Sequence, residues 1–160
     1  MLSFIYKNTF YIKLLRPNLF LYLTKLKKLI NNGYDFSSDS DCEVLIAGWD
    51  FWGKKFLNLI DGMFAFALWS EGQLILARDP VGIKPLMRTM VDGNLLFASE
   101  AKALRAYDEY MPNIDILALK ARIAWEYPLD ATTLFSGVHQ VRPGTVEVWE
   151  MIDGTPTMTS

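Results

Sequence analysis

Cysteine and histidine are almost missing from this sequence: each occurs once in 160 residues, as Cys42 and His139. A single cysteine excludes an internal disulfide framework and a cysteine-rich zinc site. A single histidine leaves very little for a histidine-ligated metal or a histidine-based triad. Strong charge of either sign is also missing. Sixteen Lys and Arg face eighteen Asp and Glu, a net charge of −2, so there is no large basic field for nucleic acid. No apolar run approaches the ~20 residues that span a bilayer. Lys7, Lys13 and Arg16 interrupt the apolar, aromatic stretch Met1–Leu23, and no small-residue cleavage site follows it, which argues against a signal peptide. There is no G-x-G-x-x-G, no Walker loop and no H-E-x-x-H. Together these absences point to a reducing compartment, most simply the cytoplasm, with neither nucleic acid nor membrane as partner.

What is present is apolar. Such residues make up 51% of the chain and charged ones 21%, a globular composition in a chain long enough for one domain with a real core. The chain is organised around Gly62–Leu86. Met63–Trp69 is a continuous apolar run without polar alternation, as in a strand covered on both faces. Ser70-Glu71-Gly72-Gln73 carries turn chemistry, and Leu74–Ala77 reads as the return strand. Arg78-Asp79-Pro80-Val81-Gly82-Ile83-Lys84-Pro85 then gathers two prolines, a glycine and three charges in one stiff loop, placed where a ligand or another domain could be met.

The flanking segments follow from local signals. Lys25–Ile30 reads as a short amphipathic helix stopped by Asn31-Asn32-Gly33. Ser40 with Glu43 three residues on predicts a capping box, opening a helix on which Val44, Leu45, Ala47, Gly48, Phe51 and Trp52 recur at helical spacing. Gly53 allows a break before Lys54–Ile60. Met87–Val91 and Asn94–Ala98 flank Asp92-Gly93, a hairpin signal. Ser99 is placed to cap a helix over Glu100–Ala106. Ile116, Leu119 and Ile123 predict a helix over Asp115–Trp125, closed by Pro128. Thr132–Val138 is a loop or short strand, Val146–Trp149 a strand, and no element is expected beyond the Asp153-Gly154 turn. Residues 1–23 have high β propensity but no assignable pattern.

The residues with chemical potential each have a bland reading beside the functional one. Cys42 sits where a helix dipole lowers thiol pKa, but no histidine is near it in sequence, and a buried structural cysteine is favoured. Asp41 is either a ligand-binding carboxylate or an ordinary first-turn acid favoured by the helix dipole; the residues alone favour the second. Arg78 and Asp79 read as a solvated or turn-locking pair rather than a catalytic one, given their prolines. His139 is a weak candidate general base. On the residues alone the chain is a mixed α+β domain with two consecutive hairpins.

Four motifs, in order, resemble the glutaminase domain of class II glutamine amidotransferases: Ser40-Asp41-Cys42-Glu43-Val44-Leu45, Gly62–Trp69, Ala77–Leu86 with its Arg-Asp-x-x-Gly-x-x-Pro-Leu turn, and Leu96–Leu104 with Phe-Ala-Ser-Glu-x-Lys-Ala-Leu. The last of these, with Thr133-Leu134-Phe135-Ser136-Gly137-Val138 and Arg142-Pro143-Gly144, resembles the glutamine-hydrolysing asparagine synthetase branch. The resemblance covers about residues 24–150. It implies the N-terminal-nucleophile hydrolase fold, here part of an αββα sandwich of antiparallel sheets. It also implies a mechanism. An N-terminal cysteine, with its own α-amine as base, attacks the glutamine side-chain amide. Ammonia then passes to a synthetase domain, where ATP and magnesium activate aspartate. The acid of the first motif binds the α-amino group of glutamine, and that role falls on Asp41, a carboxylate facing an ammonium.

The chain departs from the family at its start. Position 2 is Leu2 where the nucleophilic cysteine belongs. The Asn-Gly-Glu-(Ile/Leu)-Tyr-Asn segment that supplies the oxyanion hole is replaced by Arg16-Pro17-Asn18-Leu19-Phe20-Leu21-Tyr22. The expectation is therefore an unassigned segment 1–23, a partial glutaminase-like domain over 24–150, and over 151–160 the start of a connection to an absent synthetase domain. Such a chain binds glutamine through Asp41, holds no cofactor of its own and is inactive alone. The competing expectation is a non-catalytic module that docks on a synthetase subunit, or pairs with a second copy of itself, through exposed sheet edges.

Overall fold

A computed structural model describes residues 11–14, 18–19, 23–38, 40–107, 110–127 and 130–160. The elements in chain order are β1 (Tyr11–Leu14), β2 (Asn18–Leu19), α1 (Leu23–Asn31), α2 (Asp41–Trp52), β3 (Gly62–Met63), β4 (Ala65–Ser70), β5 (Gln73–Arg78), β6 (Met87–Val91), β7 (Asn94–Ala98), α3 (Ala101–Leu104), α4 (Ile116–Trp125), β8 (His139–Gln140), β9 (Val146–Ile152) and β10 (Thr155–Met158). A 3₁₀ segment, Gly53–Leu59, follows α2. A five-stranded antiparallel sheet has the order β1-β4-β5-β9-β10, and a three-stranded one the order β7-β6-β8. β2 and β3 form a small separate pair. Among the described residues no helix is long and apolar enough to cross a membrane.

Why the central run shows no alternation is plain from the packing. Along β4, Phe66 and Leu68 face one cluster with Leu45 and Trp49 of α2, Phe56, Ile75 and Val148. Ala65 and Ala67 face the other way, into a second cluster with Leu76, Leu86, Leu95, Phe97 and Trp149. β7 repeats the rule: Leu95 and Phe97 point into that second cluster, while Leu96 and Ala98 meet Leu104, Tyr110 and Val138 in a third. Three clusters thus separate four layers, with α2 on the outer face of the large sheet and α3 on the outer face of the small one. This is the expected αββα sandwich. Period-2 alternation persists in both sheets, but each face meets apolar partners, so polarity does not alternate.

The helix faces differ in detail from the spacing. α2 buries Leu45, Ala47, Gly48 and Trp49. Phe51 turns outward, edge-on to Tyr34 at 6.1 Å between ring centroids. Gly48 faces Phe56 so closely that a Cβ there would lie 2.2 Å from two ring carbons. Only glycine lets the 3₁₀ segment fold back under α2. The Ser99 cap does not form: α3 starts after Glu100, without a side-chain cap, and is a single turn. β1 lies in the segment left unassigned by sequence, at one edge of the large sheet. β10 lies beyond the last expected element, at the other edge. The expected strand Met63–Trp69 is divided at Phe64, whose carbonyl accepts from Asp79 N–H at 2.8 Å.

Gly48→Ala is expected to destabilise the fold by about 2 kcal/mol through overpacking against Phe56. In urea denaturation, the cost of combining it with Phe56→Leu should fall below the sum of the two single costs. Simple additivity would mean the contact is not where the strain arises.

Candidate functional site

The start of α2 is built by its own preceding loop. Ser40 has extended backbone (φ −80°, ψ 127°), and its Oγ accepts from Cys42 N–H at 3.2 Å. The reciprocal half of the predicted capping box is missing. The Glu43 carboxylate turns instead to Ser37 and Ser38, accepting both backbone N–H groups at 2.9 and 3.3 Å and both hydroxyls at 2.5 and 3.1 Å. Two serines offer four donors where Ser40 offers one. The Ser40 N–H is taken by Ser38 Oγ at 3.2 Å. The Ser37 hydroxyl is the main reason that the Glu43 carboxyl lies below its ordinary range, with the two backbone amides helping against a smaller desolvation cost.

Asp41, the predicted glutamine ligand, is the first residue of α2 and half-buried. Among the described residues its carboxylate has no hydrogen-bond or ion-pair partner. The clasp around it fixes the backbone and leaves that carboxylate available. Cys42 beside it is half-buried, less enclosed than the expected structural cysteine. Tyr34, on the chain leading into the clasp, donates its hydroxyl to Asp50.

Arg78 and Asp79 lock the turn, and they are buried rather than solvated (8% and 1% exposed). Asp79 accepts from the backbone N–H groups of Val81, Ile83 and Lys84 at 3.0–3.2 Å. Arg78 donates to the carbonyls of Lys84, Gly82 and Val141 at 2.7–2.8 Å, and to Gln140 Oε1 at 3.0 Å. Burial pushes the Asp79 carboxyl up, but the amides of Lys84, Ile83, Gly82 and Val81 outweigh it and hold the group below its ordinary value. Burial likewise lowers the Arg78 pKa, against the neighbouring Asp79 charge. Gly82, at φ +72°, presses against Pro143: a Cβ would sit 2.7 Å from its Cγ. A catalytic role for the pair has no support here, since their polar atoms are spent on backbone groups and on Gln140.

The other candidates are scattered. His139 is exposed on β8 opposite Arg88. Asn18 pairs with Met63 in β2. Leu2, Arg16 and Tyr22 lie outside the described residues. Sequence reasoning missed a charged cluster between the two sheets. Arg88 of β6 donates to Glu147 of β9 at 2.5 Å and stacks on Trp149 at 5.1 Å from the ring centre, and the Trp149 indole N–H donates to the same Glu147 oxygen at 3.1 Å. The available signal was the lone charge Arg88 in β6 and the glutamate Glu147 between Val146 and Val148 in β9. A cleft of 580 Å³ beside Trp149, lined also by Trp69, Leu74, Leu95 and Pro156, includes neither Asp41 nor Arg78.

Three comparisons bear on this geometry. A family model described as a glutamine amidotransferase domain matches residues 15–157. The chain is 33% identical over 142 residues to asparagine synthetase [glutamine-hydrolyzing] 1 of Bacillus subtilis, covering 88% of this chain and 22% of that protein. It is 38% identical over 122 residues to amidase chry2 of Gibberella zeae, covering 75% and 18%. The chain thus spans about a fifth of the length of these curated relatives. In fold it is similar to the glutamine phosphoribosylpyrophosphate amidotransferase of B. subtilis, with a TM-score of 0.62 at 22% identity over 97% of this chain and 30% of that one.

Asp79→Asn is expected to cost about 3 kcal/mol, because an amide cannot accept from all the N–H groups that now face a carboxylate. The folded carboxyl titrates below the unfolded value of about 3.9. Its contribution is therefore complete above that value and is lost as pH falls through the folded pKa. Urea unfolding followed from about pH 6 to about pH 2 should show a shallower acid loss in the variant; parallel curves would refute the assignment.

Proposed function

This chain belongs to the glutamine amidotransferase domain family, and on that premise we propose that it is the glutamine-binding part of an ammonia-supplying unit. Asp41 anchors the α-ammonium of glutamine. The observation that carries this reading is the arrangement at the start of α2. A loop of serines and Glu43 is spent on holding the backbone, while the adjacent carboxylate of Asp41 is left without a partner among the described residues. An ionised carboxylate opposite a primary ammonium makes a strong charge-assisted hydrogen bond.

Hydrolysis of the side-chain amide needs a nucleophile with a base beside it. Cys42 is the one cysteine in these residues. Its backbone nitrogen is an amide inside α2, so it has no free α-amine to serve as base. In this reading the chain binds glutamine and does not cleave it by itself; the attacking thiol comes from outside these residues. The ammonia released goes to a synthetase domain or subunit, which holds the ATP and magnesium and chooses the acceptor. Relatives named as an asparagine synthetase and as an amidase share the matched portion, which supports placing that choice elsewhere.

Calorimetric titration with glutamine tests the reading. Binding is expected for the wild type, weakened about ten- to a hundredfold in Asp41→Ala, with no glutamate released by either. Equal binding by both proteins would remove Asp41 from the site. Glutamate release by the wild type would overturn the non-hydrolysing part.

A further inference from the structure

Leu29 of α1 and Leu45 of α2 are buried, but none of the described residues between them is. The loop that brings the chain to Asp41 therefore has no apolar anchor, and polar contacts set its course. Ser37 and Ser38 are exposed. Among the described residues their bonds to α2 converge on one group, the Glu43 carboxylate. Oε2 accepts the two backbone N–H groups at 2.9 and 3.3 Å. Oε1 accepts the two hydroxyls at 2.5 and 3.1 Å. An ionised carboxylate has acceptor sites for all four donors and no proton of its own to place. The tie runs on toward the anchor. Ser38 Oγ, its proton given to Glu43, accepts from Ser40 N–H at 3.2 Å, and Ser40 Oγ accepts from Cys42 N–H at 3.2 Å. Asp41 is enclosed between those last two bonds.

Glu43 itself stands on a fixed base. Leu45 and Trp49 of the same helix are locked into the core against the large sheet. Glu43 thus lends the rigidity of α2 to a loop that has none of its own. A charged anchor gains most from its ligand when it is held in place before the ligand arrives, because little ordering is left to do on binding. We propose that Glu43 is a positioning residue of the glutamine site: it sets the Asp41 carboxylate for the α-ammonium by clasping the serine loop to the first turn of α2. It does so without touching the ligand. The inference rests on the reading of Asp41 as the ammonium anchor. It goes beyond a helix cap, because a cap that only stabilises the fold has no preference among ligands. A residue that acts through Asp41 affects only ligands that carry the ammonium.

Calorimetric titration of the full chain with glutamine, and with 4-carbamoylbutanoate (glutamine without its α-amino group), tests the proposal. Glu43→Ala is expected to bind glutamine roughly tenfold more weakly than the wild type, with urea unfolding showing that the chain is still folded. Glu43→Gln keeps a carbonyl oxygen for the two amides and can turn its NH₂ to the two hydroxyls, so it should recover part of the loss. Affinity for 4-carbamoylbutanoate should be the same in all three proteins. In an Asp41→Ala chain, Glu43→Ala should weaken glutamine binding no further. Ser38→Ala removes one exposed hydroxyl from the clasp and should give a smaller loss with the same dependence on Asp41; it carries the test if Glu43→Ala does not fold. Unchanged glutamine binding in Glu43→Ala, an equal loss for both ligands, or full additivity with Asp41→Ala would overturn the proposal and leave Glu43 as a helix cap. A loss in Asp41→Ala with none in Glu43→Ala sinks this inference alone. No binding by the wild type, or equal binding by Asp41→Ala, removes the anchor itself and this inference with it.

Discussion

The structure hangs on two buried charges that are satisfied by backbone. Arg78 and Asp79 end the central hairpin strand. Ionic groups out of water are costly unless every polar atom finds a partner. Here the partners are main-chain amides on one side and main-chain carbonyls on the other, with Gln140 the one side chain among them. The arrangement fixes the path of residues 79–84 and, through Val141, the strand that leads into the small sheet. Further main-chain bonds, from Arg78 N–H to Thr145 and from Gly144 N–H to Asp79, tie the start of β9 to the same point. One dipeptide thus sets the relative placement of both sheets at one end of the sandwich.

Between the sheets the packing is unequal by design of the sequence. Ala65 and Ala67 present small side chains to the inner layer, while Leu95 and Phe97 fill it from the facing sheet and Trp149 from β9 of the same sheet. Alternating small and large residues across a layer lets the sheets interdigitate at normal density. Within that layer Arg88 and Glu147 form an ion pair under the Trp149 ring. The pair joins β6 of one sheet to β9 of the other, so the sheets are registered by charge as well as by shape.

Much of this was legible in residue order. The two hairpins, α2 and α4 followed from turn chemistry and period, and the unalternating run Met63–Trp69 announced a sheet covered on both faces. The four motifs gave the family and the sandwich. What escaped depends on distance along the chain. β1 is too short and too poorly patterned to be read without its partner β4. β10 contains Pro156, which argues against a strand except at an edge, and an edge is where it lies. The turn-locking role of Arg78 and Asp79 was readable from their prolines, but Gln140 and Val141 as partners were not. Asp41 stood out through its motif and helix start. That its carboxylate is left unpartnered came from Glu43 turning to Ser37 and Ser38, a competition between donors that spacing does not reveal. Period likewise identified α4 as a helix but could not say that its apolar side stays uncovered.

The strand order has a mechanical consequence. β1 and β10 occupy opposite edges of the large sheet, and successive antiparallel pairings make them run in the same direction. Tension applied between residue 11 and residue 158 therefore draws the two edges along their axes in opposite senses. Every ladder between them is strained in shear, and its hydrogen bonds resist together instead of opening one at a time as in a pulled zipper. A domain joined to longer chain at both ends would carry force through this sheet as a stiff link.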